Sequence, residues 1–268
     1  MHLVDSHCHL DWDSFDGEHE AVLERAVAAG VGMLLNPGTD LARSRRAVEL
    51  AERFEMVYAA VGIHPNDAGE WNEATADELR ELAAHPKVLA IGEIGLDYYW
   101  DKATPELQAE VFRAQLDLAA ELELPVVIHN REANQDVMAI LAGWQAGLED
   151  AGHPLAERPG VLHSFSGDAA MAQTAIKHYF YIGITGPVTF KNAPDLQSLV
   201  TDIPMEHLLI ETDSPFLTPQ AYRGQRNEPA YVALVAEKIA ELKELDVEAV
   251  AGATSANVAA LFQVGVPV

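Results

Sequence analysis

Residues 125–129 read Pro125-Val126-Val127-Ile128-His129, a β-branched run of strand length that ends on an imidazole. Just before it, apolar residues between Phe112 and Leu124 recur at three- and four-residue steps, the mark of a helix with one buried face. Working outward, the same alternation fills the chain. Strands are expected over 3–6, 32–36, 56–61, 88–93, 125–129, 160–164, 179–184 and 208–212. Helices are expected over 18–29, 41–54, 76–85, 106–122, 133–143, 169–178, 193–200, 230–242 and 247–262. Eight strand–helix units in a chain of this length predict an α/β fold of the (β/α)8 TIM-barrel class. A doubly wound open sheet is the alternative, but no glycine-rich phosphate loop follows the first strand. Neither repeats nor linkers interrupt the pattern, so residues 1–268 read as one domain. The stretch 143–160, rich in Gly and Pro, reads as a loop-like insertion.

The 268 residues are 49% hydrophobic, enough for a large core. With 17 basic against 42 acidic residues, the net charge is −25. Such a surface repels nucleic acid and anionic membranes at long range. It argues against a protein that coats DNA, which needs a basic face, but not against an enzyme that grips phosphate locally. The single cysteine, Cys8, forbids an intramolecular disulfide and suits a cytoplasmic location. No signal peptide and no apolar run of membrane-spanning length is apparent.

His7 and His9 stand one residue apart at the end of the first strand, so both imidazoles point to one side and Cys8 to the other. Glu93 closes the run from Val88, His129 closes the run from Pro125, His163 follows Val161-Leu162, and Asp213 follows Leu208-Leu209-Ile210-Glu211-Thr212. Each is a metal-ligand residue type placed where an apolar strand ends. On a barrel these ends meet on one face. His7, His9, Glu93, His129, His163 and Asp213 exceed the three or four protein ligands of one catalytic ion. Two divalent ions are therefore expected, with Glu93 able to bridge them; Zn, Mn, Mg, Fe and Ni are not distinguished. Asp5 and Glu211 lie two residues before His7 and Asp213, on the same face. They either orient the ligands from one layer deeper or pair with other buried polar groups.

The chain resembles the TatD family of metal-dependent deoxyribonucleases along essentially its whole length. The likeness rests on DSHCHLD (5–11), VGIHP (61–65), IGEIGLDYY (91–99), PVVIHNREA (125–133), HSFSG (163–167), TGPVTFKN (185–192), ETDSPFLTP (211–219) and RGQRNEP (223–229), in that order. Those motifs carry the family's metal residues onto the same six positions. The resemblance implies a metal-dependent nuclease, often a 3′ to 5′ exonuclease on DNA. Two departures stand out. Ser164 replaces the usual cysteine, a change expected to affect packing. Gln225 replaces a lysine found in many members, which removes one phosphate-facing charge.

For phosphodiester cleavage, Asp213 is the expected general base and Glu93 the residue that holds the metal pair. His64, Arg131, Lys191 and Arg223 are the expected substrate contacts, being donors or scarce cations near the strand-end face. Arg226 reads as a brace for the following loop, and Asn227 and Pro229 as structural. Tyr98, Tyr99 and Trp100 either stack bases or pack the rim. The expected partner is single-stranded DNA or a DNA end, with RNA and endonuclease action left open. Amide or ester hydrolysis on the same barrel is the competing reading. A scaffold that uses metal only for folding fits poorly, since structural zinc sites are closed and thiolate-rich.

Overall fold

The computed structural model describes residues 2–266. Eight parallel strands pair in chain order: β1 (Leu3–Asp5), β2 (Val31–Pro37), β3 (Val57–Val61), β4 (Val88–Asp97), β5 (Val126–Arg131), β6 (Gly160–Leu162), β7 (Tyr181–Ile184) and β8 (Leu208–Ile210). Between them run α1 (His19–Ala28), α2 (Leu41–Arg53), α3 (Glu73–Ala83), α4 (Pro105–Leu122), α5 (Asn134–Asp150), α6 (Ala169–Lys177) and α7 (Pro194–Asp202). After β8 come α8 (Val232–Lys243) and α9 (Val247–Phe262). The ring closes where Ser6 N–H donates to the Ile210 carbonyl at 3.1 Å and Asp213 N–H to the His7 carbonyl at 2.8 Å. The expected TIM barrel is the observed one.

Val4, Met33, Leu35, Ala60, Leu89, Ala90, Val127, Val161 and Leu209 pack in one cluster with Val258, Leu261 and Phe262 of α9. Residues from seven strands meet in this way only inside a barrel, and α9 joins them there. His129 in β5, and His163 and Glu211 just past the ends of β6 and β8, lie two residues beyond Val127, Val161 and Leu209 and so share their inward face. A larger cluster joins the outer strand faces to the helices.

Local chemistry starts the helices where it must. Asp40 accepts from Arg43 N–H ahead of α2, and Asp168 from Met171 N–H ahead of α6, both at 2.8 Å. Asn72 does the same for α3 and starts it at Glu73 rather than 76. The expected insertion over 143–160 is corrected in part, because α5 continues to Asp150. Gly143 and Gly147 each cost about 1 kcal/mol of helix propensity relative to Ala. Burial of Leu141, Gln145 and Leu148 along the same face offsets that.

The strands that carry the site also differ in extent from expectation. β4 runs four residues past Glu93 to Asp97, and β5 runs past His129 to Arg131. Their pairing loses register between Ile91 and Ile94 and resumes with Ile94 opposite Ile128, which sets Gly95 opposite His129. Gly95 has φ of 144°, and a Cβ there would collide with the His129 carbonyl oxygen. Gly95→Ala is therefore expected to destabilise the protein by roughly 3 kcal/mol or more, read as a lowered midpoint in urea denaturation.

Candidate metal centre

The seam between β1 and β8 is where the site begins. Beyond the strands proper, His9 N–H donates to the Ser214 carbonyl at 2.8 Å, and Cys8 N–H to the Leu35 carbonyl at 2.9 Å. These bonds carry His7 and His9 past the end of β1 with both rings turned to the barrel axis, while Cys8 packs into the outer core. The same ladder delivers Asp213 beside them.

Four donor atoms converge there. His7 Nε2 lies 3.2 Å from His9 Nε2, 3.4 Å from Glu93 Oε2 and 3.7 Å from Asp213 Oδ1. His9 Nε2 lies 3.5 Å from each of the same two carboxylate oxygens. A tetrahedron of nitrogen and oxygen around a cation at about 2.1 Å has edges of about 3.4 Å. His7, His9 and Asp213 thus have the spacing and donor chemistry of three ligands of one cation, and Glu93 Oε2 lies within 3.5 Å of both imidazoles.

Glu93 turns its other oxygen to a second set. Oε1 lies 2.7 Å from His129 Nδ1 and 2.8 Å from His163 Nε2, and those two nitrogens are 3.4 Å apart. His64 Nε2 stands 3.8 Å from the same oxygen. All six expected ligands are therefore brought together, with Glu93 between the two sets. Three groups have donor atoms close enough to hold a cation: His7, His9 and Asp213; His64, Glu93 and His129; and His7, His163 and Glu211.

Burial opposes charge throughout this cluster, and the neighbours decide each outcome. Burial works against ionised Glu93, but the charge of His163 and hydrogen bonds from His129, His163 and His7 hold its carboxyl well below the usual range. Asp213 is likewise buried, yet its hydrogen bond with His9 and the charges of His7 and His163 keep it low. Against burial, hydrogen bonding to Asp213 and the charges of Asp11 and Glu93 raise His9 to about 9. Asp97 and Glu93 likewise overcome burial to raise His129 to about 9. Burial and the charge of His163 instead lower His7 to about 4. Burial and the charge of His129 lower His64 to about 3.

A second layer lies below. Asp5 accepts from Thr212 N–H at 2.8 Å and from its hydroxyl at 2.6 Å. Glu211 accepts from Ser164 N–H and, at 3.3 Å, from the Ser6 hydroxyl. One of its oxygens is 3.8 Å from His163 Nδ1. Of the two readings for this pair, Glu211 sits against a ligand ring while Asp5 holds the Thr212–Asp213 backbone. Gly183 makes room for the Glu211 carboxylate, which a Cβ would meet at 2.6 Å. Burial raises Asp5 to about 8 and Glu211 to about 7. Ser164 finds a partner for its hydroxyl in Thr185, 3.1 Å away.

The donor sets form the floor of a cavity of about 760 Å³. His64 and Arg131 line it; Lys191 and Arg223 do not. Both of the latter are exposed, and the Arg223 guanidinium lies 5.0 Å from the Phe190 ring next to Lys191. Arg131 sits 3.8 Å over Tyr99 and 5.7 Å from Trp100. Tyr98 instead packs the rim, its hydroxyl donating to Asp136 at 2.8 Å. Arg226 pairs with Glu18 at 2.8 Å and covers Phe15, and Asn227 is buried. Sequence reasoning missed Trp12, Asp40, Arg43, Asp67, Asp97 and Phe216, which also line the cavity. For Asp97 a signal existed, since two-residue alternation puts it on the face of Glu93 once β4 is extended.

Comparisons with known proteins agree with this geometry. Residues 4–263 match the family described as TatD related DNase. The uncharacterized metal-dependent hydrolase YabD of Bacillus subtilis is 47% identical, covering 98% of this chain and 99% of that protein. The 3′-5′ ssDNA/RNA exonuclease TatD of Escherichia fergusonii is 38% identical, covering 97% and 98%. The crystal structure of YJJV, a TatD homolog from Escherichia coli K12, superposes with a TM-score of 0.90 at 32% identity, covering 98% of both chains. Strand-end donors, barrel and similarity converge on one conclusion: the chain belongs to the TatD family of metal-dependent hydrolases.

Proposed function

We propose that this enzyme hydrolyses phosphodiester bonds in single-stranded nucleic acid, removing nucleotides from a 3′ end. The observation that carries the reading is the sharing of Glu93 between two donor sets, Oε2 toward His7, His9 and Asp213, Oε1 toward His129 and His163. His7, His9 and Asp213 on one side of Glu93, and His129 and His163 on the other, would hold two divalent cations, which would supply Lewis acidity to a phosphoryl group and lower the pKa of an attacking water. The 38% identity to relatives named 3′-5′ ssDNA/RNA exonucleases supports the choice of phosphodiester and of strand end.

The chain's own residues complete the chemistry. Asp213, held ionised, lines the cavity and is the proton acceptor for the attacking water. His64 is neutral, and its Nδ1 accepts from Asn66 N–H at 3.1 Å. That bond leaves the proton on Nε2, which faces the cavity as a fixed donor for a non-bridging phosphate oxygen. Arg131 offers a guanidinium fork, held 3.8 Å over the Tyr99 ring. Trp100 and Phe216, with 49% and 43% of their surfaces exposed at the rim, present faces to unpaired bases. The net charge of −25 opposes long duplex, which brings many phosphates at once. Lys191 and Arg223, outside the cavity lining, are left for phosphates of a trailing strand.

Three outcomes test this reading. End-labelled single-stranded DNA and RNA incubated with a metal series should shorten stepwise from the 3′ end. Turnover of p-nitrophenyl esters without nucleic-acid cleavage would overturn it in favour of ester hydrolysis. Asp213→Asn should lower kcat about 100-fold or more with the metal stoichiometry retained, whereas unchanged turnover removes Asp213 as base. Chelation, or the His7→Ala/His9→Ala pair, should abolish cleavage while far-UV circular dichroism stays unchanged; loss of the fold would mark the metal as structural.

A further inference from the structure

The Asp97 carboxylate is buried under the cavity rim and tied down at one oxygen. Its Oδ1 accepts from Tyr99 N–H at 3.0 Å and Trp100 N–H at 3.2 Å. Its backbone is clamped as well: Gln108, buried on α4, accepts from Asp97 N–H at 2.8 Å and donates to the Asp97 carbonyl at 2.9 Å. With backbone and Oδ1 both held, Oδ2 has one direction left. It lies 3.1 Å from His129 Nε2, with Asn66 Nδ2 at 3.5 Å on its other side.

That contact decides which nitrogen of His129 is free. A carboxylate is an acceptor, so the proton between the two groups belongs to Nε2. Nδ1, which donates to Glu93 Oε1 at 2.7 Å and also faces His163 Nε2, is then the nitrogen that would give up its proton to a cation, while Asp97 keeps the proton on Nε2. The other ligand rings lack such a brace: His7 Nδ1 and His163 Nδ1 are buried without a hydrogen-bond partner. His9 Nδ1 meets the Pro37 carbonyl at 3.2 Å, with the Asp11 carboxylate beyond hydrogen-bonding range at 3.8 Å.

We infer that Asp97 is a positioning residue. Held by Gln108 and the 99–100 backbone, it fixes the Nε2–H tautomer and ring angle of His129 and so builds the second cation site, but not the first. The inference rests on the two-cation reading for the number of sites, and on geometry alone for the tautomer. A carboxylate behind a ligand imidazole raises its basicity, and loss of such a partner typically weakens metal binding 10- to 100-fold.

The test uses the full chain, with Zn²⁺ as probe, and does not depend on activity. Titration of Zn²⁺ into metal-free protein should show two equivalents in the wild type. In Asp97→Leu, one equivalent should weaken 10- to 100-fold while the other is unmoved. Asp97→Asn keeps an acceptor oxygen and should recover most of that loss. Histidine ¹⁵N NMR of the zinc-loaded wild type should show His129 bound through Nδ1 with its proton on Nε2. Zinc on Nε2, or two equivalents of undiminished affinity in Asp97→Leu, would overturn the assignment. If the wild type takes up a single equivalent, the two-cation reading fails, while the His129 tautomer still reports on Asp97 separately. Denaturation midpoints exclude unfolding as the source of a change, and Gln108→Leu, which releases Asp97 without touching His129, should shift the same equivalent in the same direction.

Discussion

The meeting of β8 with β1 is the constraint on which the site depends. A barrel removes the two free edges of an open sheet only if the last strand finds the first. Here strands of three residues each make that junction, so the ladder is carried onward by the segments that follow them. Asp213 N–H donates to the His7 carbonyl, and His9 N–H to the Ser214 carbonyl, both at 2.8 Å. Backbone bonding that closes the fold thus sets three metal-ligand side chains against one another across more than 200 residues of chain. Closure and site geometry are one structural event, which is why the ligands hold their spacing of 3.2 to 3.7 Å so evenly.

Electrostatics then explains why such a cluster fits a protein with this charge. Buried carboxylates are costly unless paired. Glu93 and Asp213 are offset by imidazoles, two of which, His9 and His129, have pKa values raised to about 9. Each holds a proton at neutral pH in a place suited to a cation, so cation uptake releases protons. An acidic exterior repels polyanions, and attraction for phosphate is confined to the cavity, where cation sites, the His64 N–H and Arg131 lie together. The scarcity of basic residues makes the position of each one matter more.

Much of this was legible in the sequence because two periodicities reinforce each other. Strand runs end where the apolar pattern ends, and a polar ligand type at that boundary is visible without knowledge of the fold. That logic reached His7, His9, Glu93, His129, His163 and Asp213. It failed where a strand continues after its apolar run stops. Asp97 lies on β4 beyond a register break, in a segment whose glycines and acids look like a loop. Lys191 and Arg223 show the opposite limit, since nothing local says whether a loop cation turns toward the mouth or lies over a ring such as Phe190. Gly143 and Gly147 read as breakers, yet open space around both leaves them harmless on a helix whose other face is buried.

Asp213 itself shows how far the support of one side chain extends. Its φ is 54°, a left-handed conformation that costs a non-glycine residue about 1 kcal/mol or more. Local bonding holds it there. Asp5 fixes Thr212 through both backbone and hydroxyl, and Phe216 N–H donates to the Asp213 carbonyl at 2.9 Å. Asn227, from a motif that carries no chemistry of its own, donates to the Thr212 carbonyl at 2.9 Å and to the Phe216 carbonyl at 2.5 Å. It clips the turn shut from outside. The turn aims a carboxylate across the seam, and a residue 14 positions downstream is what keeps that turn from relaxing into extended backbone. The NEP segment therefore belongs to the site through geometry, though none of its atoms need meet the substrate.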